Sequence, residues 1–320
     1  MLFGLMQGMT GRNKIVTSSV EHKSVREPCR ALRQNGLQVV ELPVSSNCVI
    51  DLNAATDMID ESTALVTIQG ANNEVGVLQP IDQLSEIAQS KGAFFHCDAA
   101  QMVGKVALPA GFSSYDFSSF SAHKIYGPKG IGVLIVRNGI PRKTLRPVLL
   151  GGNQEGGLRP GTLNVPAIVG LGEACRIAKK RIDEDIRAIG LLRNGFELAI
   201  GQAVSNCRHN AREAARLPGT SSLSIPDVPA TILIPNVPHL CISDGSACNS
   251  GAPEPSHVLL AMGLSRSDAE CTVRISFGRD NTVADVEEAV ATIAKAVDRI
   301  RGCIADGADG SPLPARRSRG

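Results

Sequence analysis

Short apolar runs alternate with helical patterns through the first half of the chain. The strand-like runs are KIVTSS, LQVVELPV, ALVTIQG, AFFHCDAA, YDFSSFSAHK and GIGVLIVR. A helix is predicted between the first two runs, ending near Asn35-Gly36, because glycine suits the position just after a helix. A second helix is predicted at IDQLSEIAQSKG. Strands that alternate with helices predict an α/β fold with a mostly parallel central sheet and helices on both faces.

The second half opens with a long helical pattern from about Val165 to Ile200. A further unit follows, made of TSSLSI, HLCISDGSACNSG, TVRISFG and a final helix, VADVEEAVATIAKAVDRIR. We therefore expect a large domain over residues 1–180 and a smaller α+β C-terminal domain over 181–303. The Gly/Pro/Arg-rich residues 304–320 are expected to form a disordered tail.

The composition permits a full core and argues against some partners. With 320 residues and 43% apolar content, the chain can bury a core divided between two domains. Lys+Arg (33) nearly balances Asp+Glu (31), so no strong field attracts nucleic acid or an anionic membrane. Aromatic residues make up only 3% of the chain, which argues against a base-stacking surface.

Nine cysteines are scattered along the chain without CxxC pairs. An odd number in a chain of this size does not indicate a disulfide scaffold, and no Cys/His cluster has the spacing of zinc ligands, so no metal is expected. The opening MLFGLMQGMTGRNK is short, broken by glycines and without a basic region, unlike a signal peptide. These features predict a cytoplasmic protein.

Two polar residues follow apolar runs at the positions where a parallel sheet binds its ligands. Asp98 lies near the end of AFFHCDAA, and Lys124 lies in SAHKIYGPKG. A pyridoxal phosphate enzyme needs such a pair, a lysine for the Schiff base and an acid facing the pyridine nitrogen. The alternative interpretation is a surface lysine in a solvated turn and an aspartate that caps a helix. The pair alone leaves both interpretations open.

The run SDGSACNSGAPEP places Cys248 among serine, glycine and alanine. A structural cysteine is expected in a strand, as predicted for Cys241, or in a helix, as predicted for Cys175. A polar loop of small residues suits a thiolate nucleophile that travels. The loop by itself does not decide between a structural and a nucleophilic cysteine.

Seven motifs in order resemble the cysteine desulfurases and selenocysteine lyases, the pyridoxal-phosphate enzymes of the class V aminotransferase family. They are SSVEHKSV, GANNEVGV, HCDAAQMVGK, SAHKIYGPKGIG, GLRPGTLN, SDGSACNSGAPEPSHVL and VRISFG. The resemblance runs from about Lys14 to the helix before Cys303. It implies fold-type I, the cofactor pyridoxal 5'-phosphate and a homodimer.

The resemblance also implies a role for each matching residue around the cofactor. Lys124 would form the Schiff base and remove the substrate Cα proton. The other implied cofactor contacts are Asp98 with the pyridinium nitrogen, Gln101 with the phenolic oxygen, Asn73, and Ser121 and His123 with the phosphate, joined by Thr162 from the other subunit. His22 would stack on the ring and shuttle protons.

Three residues are implied in handling the substrate. Asn73 and Arg274 would bind its carboxylate, the arginine through a bidentate fork. Cys248 would attack the substrate sulfur and become a persulfide, leaving alanine. Other residues inside the motifs are assigned structural roles: Tyr126, Lys129 and His257.

The resemblance also sets one expectation about the N-terminal end. Family members carry a segment before the VEHK motif with a Ser/Thr-Gly-Ala-Thr turn that cradles the cofactor phosphate, and MLFGLMQGMTGR does not match it. The expected function is a cysteine desulfurase that supplies sulfur to an acceptor or iron–sulfur scaffold protein. The alternatives are a selenocysteine lyase and a shortened, catalytically weak homologue that binds a partner.

Overall fold

The computed structural model describes residues 1–9, 11–108, 111–244 and 254–308. The predicted strands of the first half form one six-stranded sheet in the order β2-β1-β3-β4-β5-β6. Its strands are β1 (Lys14–Ser18), β2 (Gln38–Leu42), β3 (Thr63–Gln69), β4 (Phe94–Asp98), β5 (Phe117–Ser121) and β6 (Gly132–Val136). Neighbouring strands from β2 to β5 run parallel, and β6 pairs antiparallel with β5. The predicted mostly parallel sheet is confirmed.

Helices cover both faces of this sheet because successive side chains of a strand point to opposite faces. Val16 and Val66 pack in one cluster, whereas their neighbours Ile15 and Leu65 pack in another. The helices that accompany the sheet are α1 (Leu2–Gly8), α2 (Lys23–Gln34), α3 (Leu52–Met58) and α4 (Ile81–Ser90). α3 and α4 cover the face of Val16, and α1 and α2 cover the face of Ile15.

The predicted helix boundaries agree with the structure where the sequence carries clear end signals. α2 ends at Gln34, and Gly36 after it adopts a left-handed φ of 88°. α4 spans Ile81–Ser90 as predicted. α1 was not predicted. Its Leu2 and Leu5 are buried against the sheet, and such packing can stabilise a short helix whose intrinsic helix propensity is too low to predict it.

The second half forms a three-stranded antiparallel sheet in the order β7-β8-β9. Its elements are α5 (Val165–Ala203), β7 (Arg208–His209), β8 (Thr220–Ser224), α6 (Ala230–Asn236), α7 (His257–Ala261), α8 (Arg266–Glu270), β9 (Thr272–Ser276) and α9 (Val283–Ala308). A separate hydrophobic cluster fills this unit, with Phe196 and Ile200 of α5 fully buried in it.

α5 is one continuous helix of 39 residues that spans the predicted division near residue 180. Its first part contributes Leu171 and Ala174 to a cluster on the large sheet's side, and its last part contributes Phe196 to the core of the second unit. The division into domains stays a prediction, and in this structure the proposed boundary lies inside a helix.

Two details of the second half differ from expectation. Cys241 is exposed and lies outside any strand, because the described part of its run, up to Asp244, forms an isolated bridge, Ser243 with Arg274, rather than a ladder. The final helix continues to Ala308, so the first residues of the predicted disordered tail are helical; no proline interrupts the chain there. Within the described ranges, no helix combines the length and the apolar character that a membrane span requires.

The segment that precedes β8 joins the two units through backbone and side-chain contacts. Val77 and Arg216 form an antiparallel bridge, and the Leu217 amide donates to the Gly76 carbonyl at 2.7 Å. The Arg216 guanidinium donates both of its terminal nitrogens to the Glu197 carboxylate, at 2.8 and 3.0 Å. Only 5% and 6% of these two side chains are exposed, so the ion pair is buried at the junction.

This buried pair generates a prediction about stability. Arg216→Met leaves the Glu197 carboxylate buried without its bidentate partner, so the free energy of unfolding should fall by about 3 kcal/mol or more. The matched control is Arg266→Met, which breaks an exposed pair with Glu270 and should cost less than about 0.5 kcal/mol. Urea unfolding of both variants measures the difference, and equal costs would contradict the assigned role of Arg216.

Candidate active site

A cavity of about 780 Å³ lies at the carboxyl ends of β1, β3, β4 and β5. The predicted site residues that line it are His22, Asn73, Asp98, Gln101, Ser121, His123, Lys124 and Arg274. A smaller cavity of about 200 Å³ adjoins it and shares four of these residues, namely Asn73, Gln101, Lys124 and Arg274. The fold therefore brings together side chains from segments that are far apart in the sequence.

Two predicted site residues are not part of this lining. Thr162 is exposed just before α5 and does not line either cavity of this chain. Its predicted role is in the other subunit of a dimer. Cys248 lies outside the described residues, between Asp244 and Glu254.

Lys124 lies in a 3₁₀ turn, Ala122–Ile125, that directly follows β5. Ala122 and Ile125 are buried against the start of α5, and this packing leaves Lys124 on the open side of the turn. Tyr126 closes the turn in the left-handed region, with φ of 66°. Gly127 follows where a Cβ atom would approach Ala122 and Ala174 within 3.1 Å, so the close packing favours glycine. Lys124 is thus held by the buried side of its own turn.

Asp98 is the last residue of β4, beside Ser119 of β5 in the parallel ladder. The Ala100 amide donates to Asp98 Oδ1 at 3.0 Å. Burial raises the pKa of the Asp98 carboxyl, although the Ala100 hydrogen bond and nearby His22 act in the opposite direction. Asp98 is therefore a carboxyl group in poor contact with water, which strengthens its interaction with any cation in the cavity.

His22 directly precedes α2 and caps its N-terminus. The Ser24 backbone amide donates to His22 Nδ1 at 3.1 Å. A backbone N–H can only donate, so Nδ1 accepts and the neutral ring carries its proton on Nε2. Burial lowers the pKa of His22, with Asp98 opposing this effect and Lys124 adding to it. The neutral tautomer with Nε2–H is therefore favoured at the wall of the cavity.

Arg274 reaches the cavity from β9 and ties it to the first half of the chain. Its Nη1 donates to the Asn73 carbonyl at 2.8 Å. Its Nε is buried and has no hydrogen-bond partner among the described residues. A guanidinium that is held at one nitrogen and unsatisfied at another is suited to bind an anionic group.

Two buried carboxyl groups were missed by the sequence reasoning, Glu74 in the cavity lining and Glu21 next to His22 in the chain. Glu74 accepts a hydrogen bond from the Ser256 hydroxyl, and burial raises its pKa to about 7 against the effects of Ser256 and Arg274. Glu21 is fully buried, and burial raises its pKa to about 8. Glu74 lies in the motif GANNEVGV and Glu21 in VEHK. The amino-acid sequence of neither motif indicates that its carboxyl group is buried.

Glu21 is hydrogen-bonded at only one oxygen. Its Oε1 accepts from the Ser18 hydroxyl at 2.6 Å and from the Gln69 amide at 2.9 Å, whereas Oε2 is buried without a partner among the described residues. The nearby charge of Asp98 adds to the burial. These contacts favour a neutral carboxylic acid with its proton on Oε2.

The residues implied as structural have defined contacts. His257 donates Nε2–H to the Glu21 carbonyl at 3.1 Å and lines the large cavity. The Tyr126 ring lies under the Arg279 guanidinium, 4.4 Å from ring centroid to Cζ. Lys129 is exposed and lines neither cavity.

The donor set of the large cavity fits pyridoxal 5'-phosphate. A half-buried carboxyl, Asp98, suits the ring nitrogen, and Lys124 supplies an amine on the next strand's turn. Ser121 and His123 offer a hydroxyl and a ring N–H for a phosphate group. The unsatisfied Nε of Arg274 is left for a further anion, such as a substrate carboxylate.

Comparison with known proteins gives one consistent family. The aminotransferase class-V family matches residues 2–289. The chain is 40% identical over 290 residues to the cysteine desulfurase IscS of Rickettsia bellii, covering 91% of this chain and 70% of that relative. A solved NifS-like protein matches with a TM-score of 0.84 and 33% identity, over 93% of this chain and 78% of the other. The structure of SspA in complex with cysteine matches with a TM-score of 0.69 and 33% identity, over 86% of this chain and 76% of the other.

The environment of Glu21 generates a prediction about pH. Its pKa is raised from 4.5 to about 8 in the folded chain, so between these values the folded state keeps a proton that the unfolded chain releases. This contribution to stability is full below pH 4.5 and is lost as the pH rises towards 8. Glu21→Gln carries no such proton and mimics the neutral acid.

The free energy of unfolding of Glu21→Gln, relative to the parent, should therefore rise by about 1.4 kcal/mol per pH unit within that window. Urea unfolding of both proteins at several pH values measures this difference. A difference that does not change with pH would show that Glu21 is ionised in the folded protein.

Proposed function

The chain belongs to the aminotransferase class-V family, and we propose that it acts there as a cysteine desulfurase, converting L-cysteine to L-alanine and moving the sulfur to Cys248. The observation that carries this proposal is the convergence of Lys124, Asp98, His22 and Arg274 around one cavity at the carboxyl ends of the parallel strands. These side chains combine an amine, an acid, a neutral imidazole and an unsatisfied guanidinium.

We propose pyridoxal 5'-phosphate as the cofactor. Lys124 would hold it covalently, Asp98 would pair with the ring nitrogen, and His22 would stack on the ring. Ser121 and His123 would bind the phosphate, together with Thr162 from the other subunit. When bound, this group supplies an electron sink for the bonds at the substrate Cα.

Arg274 and Asn73 would orient the substrate. The Asn73 carbonyl already holds Arg274 Nη1, so the arginine side chain is positioned before a ligand arrives. Its Nε is left to pair with the substrate carboxylate. The α-amino group of cysteine would then lie next to Lys124, which lines the same small cavity as Arg274.

Two side chains would handle protons. Lys124 Nζ would be the base that takes the substrate Cα proton. His22 has its proton on Nε2 because Ser24 occupies Nδ1, so it can donate at the cavity wall but cannot accept there until that proton has left. The neutral tautomer thus sets the direction of the first proton transfer through His22.

Cys248 would take the sulfur. It is four residues beyond Asp244, and four residues of fully extended chain span at most about 14 Å. The other end of this stretch, Glu254 and Pro255, lines the large cavity. The Cys248 thiolate would attack the substrate sulfur, so that an S–S bond forms, the C–S bond breaks, and the carbon takes a proton to give alanine.

We propose a homodimer in the cytoplasm, with a sulfur-acceptor or iron–sulfur scaffold protein as the partner. The support for a dimer is a group of exposed apolar side chains near Thr162. Leu150 is 87% exposed, and Val165 and Val169 are 59% and 65% exposed. The two segments meet where Gly151 packs against Pro160.

The assignment of the covalent lysine is testable with neighbouring lysines. Lys124→Ala, loaded with pyridoxal phosphate, should lack the visible absorbance band that borohydride bleaches, because no amine remains to bind the cofactor. Lys129→Ala should keep the band, since Lys129 is exposed and outside both cavities. A reducible band in the Lys124 variant would show that another lysine is the anchor.

The sulfur step is tested separately from cofactor chemistry. Cys248→Ser should still change the cofactor spectrum on adding cysteine but should release no alanine or sulfide above background, because no thiolate is present to take the sulfur. The matched control is Cys241→Ser, which removes an exposed thiol seven residues earlier and should behave like the parent.

Turnover of selenocysteine but not cysteine by Cys248→Ser would favour the selenocysteine lyase. Undiminished turnover of cysteine would show that Cys248 is not the nucleophile. A parent protein that holds the cofactor but turns over neither amino acid would favour the catalytically weak homologue.

A further inference from the structure

Lys105 is, with Lys124, one of two lysines that line the small cavity, and no step above uses it. It lines the small cavity and is half-buried there. Burial lowers its pKa to about 8, and the positive charges of Lys124 and Arg274 act in the same direction. At neutral pH most of the population is still an ammonium group, held in a site with two other cations.

The ammonium group has a specific partner. Lys105 Nζ donates a hydrogen bond to Gln101 Oε1, four residues earlier in the chain. An ammonium group has three donors and no acceptor, so it can meet only the oxygen end of the glutamine amide. The contact therefore removes the two-fold ambiguity of that amide and turns the NH₂ group away from Lys105.

The backbone between Gln101 and Lys105 forms a hydrogen-bonded turn that keeps the two side chains close together. The amides of Lys105 and Val106 both donate to the Met102 carbonyl, at 3.0 and 3.1 Å. Gly104 adopts a left-handed φ of 69°, and a Cβ atom there would lie 3.0 Å from Ile125 and 3.1 Å from Ala178. The turn therefore favours glycine at this position, and the turn sets the backbone position of Lys105.

Gln101 lies on the wall that the two cavities share, whereas Lys105 lines only the small one. We propose that Lys105 is a positioning residue that locks the Gln101 amide with its oxygen towards the small cavity and its NH₂ group towards the large one. The inference rests on the proposed function, because the group that Gln101 would meet in the large cavity is the anionic ring oxygen of pyridoxal phosphate.

The orientation matters because the two ends of the amide have opposite effects on an anion. The NH₂ end donates to a ring oxygen and stabilises its negative charge. The carbonyl end would repel it. Stabilisation is greatest when the nitrogen of Lys124 bound to the cofactor has lost its proton, so a locked donor lowers the pH at which that proton leaves.

The experiment is a spectroscopic pH titration of the cofactor-loaded protein and its variants. In Lys105→Met the amide is free to turn, and the pH midpoint of the visible band should rise by about one unit, the size of one hydrogen bond to a charged group. Gln101→Met should raise the midpoint by a similar amount. Lys105→Arg keeps a cationic donor and should stay close to the parent.

The double variant Lys105→Met/Gln101→Met separates the lock from a direct effect of charge. If Lys105 acts through Gln101, the double variant should have the midpoint of Gln101→Met alone. If removing Lys105 shifts the midpoint equally in both backgrounds, Lys105 acts by its charge and the proposed lock is wrong. An unshifted Lys105→Met would also overturn it.

The proposed function fails in a different way, since a parent protein without any borohydride-sensitive band would refute cofactor binding before any variant is compared.

Discussion

The register of the parallel strands is the constraint on which the site depends. β3, β4 and β5 are aligned so that Gln69 is beside Asp98 and Asp98 is beside Ser119. Because these strands end at one edge, the segments that follow them meet there. A one-residue slip of β4 would turn Asp98 to the opposite face of the sheet and bring the buried Cys97 into its place. Sheet packing and site geometry are therefore specified by the same alternation of side chains.

Burial away from water changes the pKa of several ionisable groups at the site. Burial raises the pKa of Glu21, Glu74 and Asp98 and lowers that of His22 and Lys105. It therefore favours the neutral form of acidic and basic groups alike. The cavity consequently has fewer full charges than its list of residues suggests. A phosphorylated cofactor carries several charges of its own. In this cavity it would meet hydrogen-bond donors and few ionised side chains, so its own charges would largely determine which of those side chains ionise.

The sheet and most of the candidate site could be predicted from the sequence. Apolar runs located the strands, and the positions of Asp98 and Lys124 after such runs located the cavity edge. The match of seven motifs added the other predicted residues of the lining, whereas Glu74 was missed. Local signals could not give the contacts between distant segments: Arg274 and Asn73 are 201 positions apart, and Glu21 meets Gln69 across 48 positions. Cys241 was misplaced because an apolar run predicts a strand even where no partner strand extends alongside it.

The length of α5 bears on how the two units unfold. A helix of 39 residues is roughly 60 Å long and has no free end at the junction of the units. Leu171 is buried near its start, and Phe196 is buried near its end in the other unit's core. If either core unfolded, it would expose one stretch of a helix whose other stretch is still packed in the remaining core. Unfolding of one unit would therefore destabilise the other. The two units are expected to melt as one cooperative body, and neither is an independent module that could be transferred to another chain.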